Sequence, residues 1–133
     1  MSDISQPEPQ RRPHAAQLAG PFREFDLTGE VHRLHAETTW QNGQNARTLL
    51  KYDDLRVVLT AIKANERIPE HKVEGRVSIH VLSGHVRVRA DGRTFSLRAG
   101  SLLALDQEVM HDVDAIEDSA MLLTIAWPRK HGA

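Results

Sequence analysis

Four glycines, Gly75, Gly84, Gly92 and Gly100, stand 9, 8 and 8 residues apart, and short segments of alternating apolar and polar residues fill the gaps. A chain that turns this often leaves no room for long helices. Its backbone groups find partners by pairing short strands, so the spacing predicts an all-β sandwich or barrel. Asp91-Gly92 is a strong hairpin signal, because the tight turn joining two strands needs positive φ at both central positions. Residues 86–90 read Val-Arg-Val-Arg-Ala, apolar inward and charged outward, and residues 94–98 place Phe95 and Leu97 on the inward face. Further strands are predicted over 56–62, 77–82, 102–105, 109–115 and 120–127, separated by turns at 106–108 and 117–118. No repeat of 20–50 residues is visible, which argues against a propeller or solenoid.

At 133 residues the chain has the length of one domain, and it can bury roughly two thirds of its unfolded surface without metal or disulfide staples. Charge is balanced, with 17 Lys and Arg against 18 Asp and Glu, which argues against nucleic acid or an anionic membrane as partner. The absence of cysteine excludes disulfides, thiolate metal sites and a cysteine nucleophile. No apolar run reaches the length of a membrane span, and the first twelve residues lack the apolar segment of a signal peptide. The expected compartment is the cytoplasm.

Residues 1–21 hold four of the six prolines and no apolar periodicity, so they are read as a flexible Pro-rich tail. Residues 22–45 are read as an N-terminal helical arm: Asp26 can cap a helix, and Leu27, Val31 and Leu34 recur on one face. Trp40 to Gly43 reads as a turn. Residues 46–127 form the barrel and 128–133 a C-terminal tail. The strand at 56–62 is apolar on both faces, so the face holding Val58 and Ile62 is expected to point outward under the helix or a second subunit. That expectation makes the protein a homodimer.

Eight histidines are present. His14 and His131 fall in the tails, His32 and His35 on or beside the polar helix face, and His85 beside Arg87 and Arg89. His111 is different. It shares a strand face with Val109, Val113 and Ala115, while Asp112 and Asp114 point the other way, and an imidazole among apolar neighbours needs a partner. It is either a core histidine satisfied by one hydrogen bond or a ligand for a metal or substrate. His71, forty residues earlier, is its natural companion, on a strand expected to face it across the barrel. Neutral imidazoles bind divalent transition metals well, but two of them make a weak site. Two other clusters read as solvated surface: Arg87, Arg89, Arg93 and Arg98 in one hairpin, and Asp112, Asp114, Glu117 and Asp118 near the last turn.

The stretch from His71 to His111 resembles the cupin superfamily of small β-barrels. The family's first motif is His-x-His, then Glu, then Gly seven residues beyond. Anchored on Gly84, it places His71 and Val73 at the histidines and Val77 at the glutamate. The second motif is Gly, five residues, Pro, one residue, Gly, two residues, His. Here Gly100 and His111 match, while Asp106 and Glu108 replace the Pro and the second Gly. The resemblance spans residues 46–127. It implies a single jelly-roll cupin-like barrel. It also implies a divalent transition metal (zinc, nickel, iron or manganese) held by three histidines and a carboxylate, of which only His71 and His111 remain. Glu70, Glu74 or His80 would have to supply a third donor, and His80 reaches the interior only through a bulge. The expected function is binding of a small molecule in the barrel pocket by His71, His111 and His80, with or without a weak two-histidine metal site. The alternative is a catalytically inert dimeric sensor or interaction module with no metal, with Val73 and Val77 filling the former metal pocket.

Overall fold

The computed structural model describes residues 21–128. The two predicted tails therefore fall outside the described residues, apart from Pro21 and Pro128. Helix α1 (Leu27–Ala36) is followed by a short 3-10 turn (Thr38–Asn42) and nine strands. These are β1 (Gln44–Lys51), β2 (Leu55–Ile62), β3 (Arg67–His71), β4 (Arg76–Ser83), β5 (His85–Ala90), β6 (Arg93–Arg98), β7 (Leu102–Leu105), β8 (His111–Ala115) and β9 (Ser119–Ala126). They form two antiparallel sheets, ordered β1-β2-β9-β4-β7 and β3-β8-β5-β6. Without β1 this is the strand order of an eight-stranded jelly roll, and β1 widens the first sheet by one edge. No helix among the described residues is long and apolar enough to cross a membrane.

The core lies between the sheets. Val77, Ile79 and Val81 of β4 meet Val86 and Val88 of β5, Val113 and Ala115 of β8, and Met121 of β9. A second apolar cluster covers the outside of the first sheet, where Leu34 and Trp40 pack on Leu49, Leu59 and Ala61. Glu30 of α1 is buried there, held by Arg33 at 2.9 Å and by Arg47 of β1 at 3.2 Å. Asp26 occupies the N-cap position of α1 but makes no side-chain cap bond. Its carboxylate instead lies over Gly29, where a Cβ would stand 2.7 Å from it.

Two expectations need correction. The outward face of β2 carries Val57, Leu59 and Ala61, whereas Ile62 belongs to the barrel core. A strand apolar on both sides gives alternation nothing to orient it, and the parity was read in reverse. The helix of the same chain covers that face, so the cover itself gives no reason for a second subunit. Finally, β1 and β3 were absent from the predicted set. Both are edge strands, and edge strands carry the charges and prolines that hide a strand pattern.

Half of each predicted cluster, Arg87 and Arg89 with Asp112 and Asp114, forms one structure. Register places Arg87 beside Asp114 and Arg89 beside Asp112. Arg89 bridges both acids, at 3.1 and 2.8 Å, while Arg67 and Arg87 close the ends at 2.8 and 3.0 Å. Opposite charges directly across adjacent strands stabilise the pairing and neutralise a face that would otherwise repel itself.

Candidate ligand-binding site

His71 and His111 come together, though not across the barrel. They are direct partners on neighbouring strands of one sheet, β3 and β8. The expectation of facing strands is corrected by the jelly-roll order, which sets β3 beside β8. Arg67 pairs with Asp114 and Ile68 with Val113, and continued regular register would bring Glu70 opposite His111. An irregularity between Ile68 and His71 inserts one residue, so His71 takes that place. Pro69 sits within the irregularity. It has no N–H to give a ladder bond, and an edge strand tolerates the gap.

The ring centroids are 4.3 Å apart, with the planes inclined at 56°. Each ring is fixed by the backbone two residues before it. His71 Nδ1 lies 2.9 Å from the Pro69 carbonyl oxygen, and His111 Nδ1 lies 3.0 Å from that of Val109. A carbonyl only accepts, so Nδ1 carries the proton in both neutral rings and each Nε2 keeps its lone pair. His111 is buried and His71 exposed. The site thus has a protected imidazole beside one that meets solvent.

Burial pushes the His111 pKa below its ordinary 6.5. The Val109 carbonyl opposes this by favouring the protonated ring, His71 adds to the lowering and Asp112 opposes it. The unfolded chain therefore takes up a proton near pH 6.5 that the folded chain refuses. The His111 contribution to stability is complete above pH 6.5 and is lost as pH falls from there towards the lowered folded value. Glu37, held below its usual carboxylate value first by the Asn45 side chain, loses its contribution only at more acid pH. Thermal melts from pH 7.5 down to 5.5 are expected to show a falling Tm in the wild type and a flatter profile in His111→Gln. Equal slopes would remove His111 as the cause.

The other predicted donors do not join the pair. In β4, Val77, Ile79 and Val81 are buried in the core, while Ser78, His80 and Leu82 take the opposite face. The irregularity in β4 falls between Val81 and Ser83, beyond His80, so no bulge turns that ring inward. His80 is thereby corrected from site residue to outer-face residue. Val73 and Val77 pack with the barrel core. Among the described residues, no three His, Asp or Glu side chains are grouped to hold a metal ion. The residues present do not fit a three-histidine-plus-carboxylate centre. One trace of the motif persists in the backbone: Glu108, at the second glycine position of the family pattern, has φ of +62°. Its N–H bonds the Val73 carbonyl at 2.9 Å, which ties the loop that follows His71 to the loop that precedes His111.

Sequence reasoning missed a neighbouring feature. A cavity of about 1420 Å³ opens at the same end of the barrel, bounded by the β1–β2 turn, the β3–β4 and β7–β8 loops and the end of β9. Arg56 and Trp127 line it, with the guanidinium carbon 5.2 Å from the Trp127 ring centroid. The available signal was parity, since Arg56 pairs with Ile125 and so shares its inward face. Neither this cavity nor a smaller one of about 410 Å³ beside β4, β7 and β9 is lined by His71 or His111.

Two antiparallel sheets in jelly-roll order, with the two histidines at one end, define a barrel of the cupin superfamily. The chain belongs to the AraC-like ligand binding domain family, whose model matches residues 56–125, just over half of its length. Solved structures agree on the fold. A conserved Streptococcus pyogenes protein of unknown function is 24% identical, with a TM-score of 0.68 over 80% of this chain and 89% of its own. A cupin superfamily protein from Desulfitobacterium hafniense is 17% identical, with a TM-score of 0.63 over 65% and 80%. An RmlC-like cupin from Desulfovibrio desulfuricans is 26% identical, with a TM-score of 0.59 over 65% and 84%. No curated protein matches the chain significantly.

Proposed function

We propose that the domain binds a small molecule at the open end of its barrel, with the His71 and His111 imidazoles as the polar contacts. The observation that carries this reading is the matched pair of rings, each with Nδ1 tied to its own backbone and Nε2 free to accept. Such a pair accepts hydrogen bonds from a hydroxyl or a protonated acid. Once the exposed ring is protonated, it donates to a carboxylate. Two Nε2 atoms also hold zinc, nickel, iron or manganese, but weakly, because a firm site needs further protein donors.

Ligand-observed NMR with a panel of small sugars and carboxylic acids tests the reading. A panel member that binds the wild type and is lost in both His71→Gln and His111→Gln supports it. Binding that survives both changes, or a panel with no binder, overturns it. Titration with zinc alone reads the metal arm, where weak uptake lost in His111→Gln is expected.

A second reading, an inert dimeric module in the cytoplasm, draws on the way Val73 and Val77 fill core positions. Its dimer surface would be the outer side of β7, where Leu102 is 65% exposed. Sedimentation at micromolar concentration, comparing wild type with Leu102→Lys, separates a dimer on this face from a monomer.

A further inference from the structure

We propose that the cleft beside Arg56 and Trp127 is a binding site in its own right, and that it takes a zwitterionic amino acid with an apolar side chain. This site is separate from the paired histidines, neither of which lines it.

The cations come first. Lys51 pairs in register with Arg56, so both project from the same face of the first sheet, the one that Ile125 turns into the barrel. Arg56 Nε is buried without a hydrogen-bond partner. Among the described residues the Arg56 side chain makes no ion pair, and its guanidinium lies over the Trp127 ring. An unpaired buried N–H of a guanidinium is costly, and a carboxylate satisfies it with two parallel hydrogen bonds.

A simple anion is nevertheless a poor fit. Asp53, Asp54, Glu74 and Glu108 line the same cleft, and among the described residues none pairs with a cation. Two cations against four carboxylates give the cleft a formal charge of −2, from +2 − 4. That field repels a molecule that is only negative and attracts an ammonium. The two requirements are met by one ligand carrying a carboxylate for Arg56 and an ammonium for the acidic rim. Tyr52 and Trp127 supply apolar ring surface for its side chain. The volume of about 1420 Å³ leaves ample space for such a molecule and its water.

The test titrates the full chain by calorimetry with three probes that share one ring: L-phenylalanine, 3-phenylpropionate (no ammonium) and 2-phenylethylamine (no carboxylate). L-phenylalanine is expected to saturate, with each of the others weaker by roughly tenfold or more, because each leaves one set of site groups unpaired. Arg56→Gln is expected to weaken L-phenylalanine by a similar factor, and His111→Gln to leave it unchanged. The proposal fails if L-phenylalanine gives no saturable heat, if phenylpropionate or phenylethylamine binds as well as the amino acid, or if Arg56→Gln binds it like the wild type. It fails too if a folded His111→Gln loses binding, which would assign the ligand to the histidines. The probe series is read on the wild type, so it stands even where a variant does not fold.

Discussion

Gly84→Ala is expected to destabilise the protein by about 3 kcal/mol, lowering Tm by roughly 10 °C. Gly84 has φ of +85°. An L-residue in the left-handed region costs about 1–2 kcal/mol. A Cβ there also overlaps the Asp118 carbonyl oxygen and the Ser119 side chain and Cα, most of it backbone or buried and unable to yield. Ser119 is itself committed. Its hydroxyl oxygen accepts from the His85 N–H at 2.9 Å and its proton goes to the Glu117 carbonyl at 2.7 Å. Moving it breaks the joint between the β4–β5 connection and the β8–β9 turn. Gly92 and Gly100 are the controls, with φ of +73° and +92° but nothing within 4 Å of the added Cβ. Alanine at either should cost only the backbone part, about 1 kcal/mol. Urea denaturation of the three variants checks the difference. Equal losses at all three would mean that crowding at Gly84 contributes nothing.

These glycines also show what was legible in the sequence. Their spacing marked the turns, of which only the one at Gly92 closes a hairpin while those at Gly84 and Gly100 pass the chain between sheets, and the strands between them alternate because one face is core and the other solvent. The interior strands β4, β5 and β8, and the edge strand β6, could therefore be read from period two alone. Illegibility began where that contrast disappears. β2 is apolar on both faces, so its parity was reversed. β3, Arg-Ile-Pro-Glu-His, is an exposed edge with a proline and shows no strand pattern at all. Its irregularity is what aims His71, so the pairing of the histidines was legible in sequence spacing while their adjacency was not. The arginines of β5 and the aspartates of β8 read as two unrelated surface clusters, because only register reveals that they neutralise each other. Arg56 went unremarked for a related reason. A single charge opening an apolar strand looks like a boundary, and only the finished barrel shows that it faces inward at the open end.

The second large effect concerns the missing metal ligands. Val73→His is expected to create a firm zinc site. Val73 follows His71 by two residues, the spacing of the family's His-x-His pair, and it packs at the barrel interior. Its carbonyl is already held by the Glu108 N–H, so the backbone that would carry the new imidazole is fixed before any ion arrives. A third imidazole completes the minimum that catalytic zinc sites usually present. Zinc supplied at about a thousand times its Kd stabilises the folded state by about 4 kcal/mol, which is roughly 15 °C in Tm for a chain of 133 residues. The wild type, with two ligands, should shift by a small fraction of that. Adding Val77→Glu extends the argument in the opposite direction. Val77 is only 6% exposed, so a carboxylate there is buried among apolar side chains and should destabilise the metal-free protein. Zinc should then restore what the substitution removes, because the ion supplies the missing counter-charge. Thermal melts with and without zinc on the wild type, Val73→His and the double variant read all three expectations. A Val73→His protein that folds but melts at the same temperature with and without zinc would show that the Nε2 atoms of His71 and His111 do not converge on a common point.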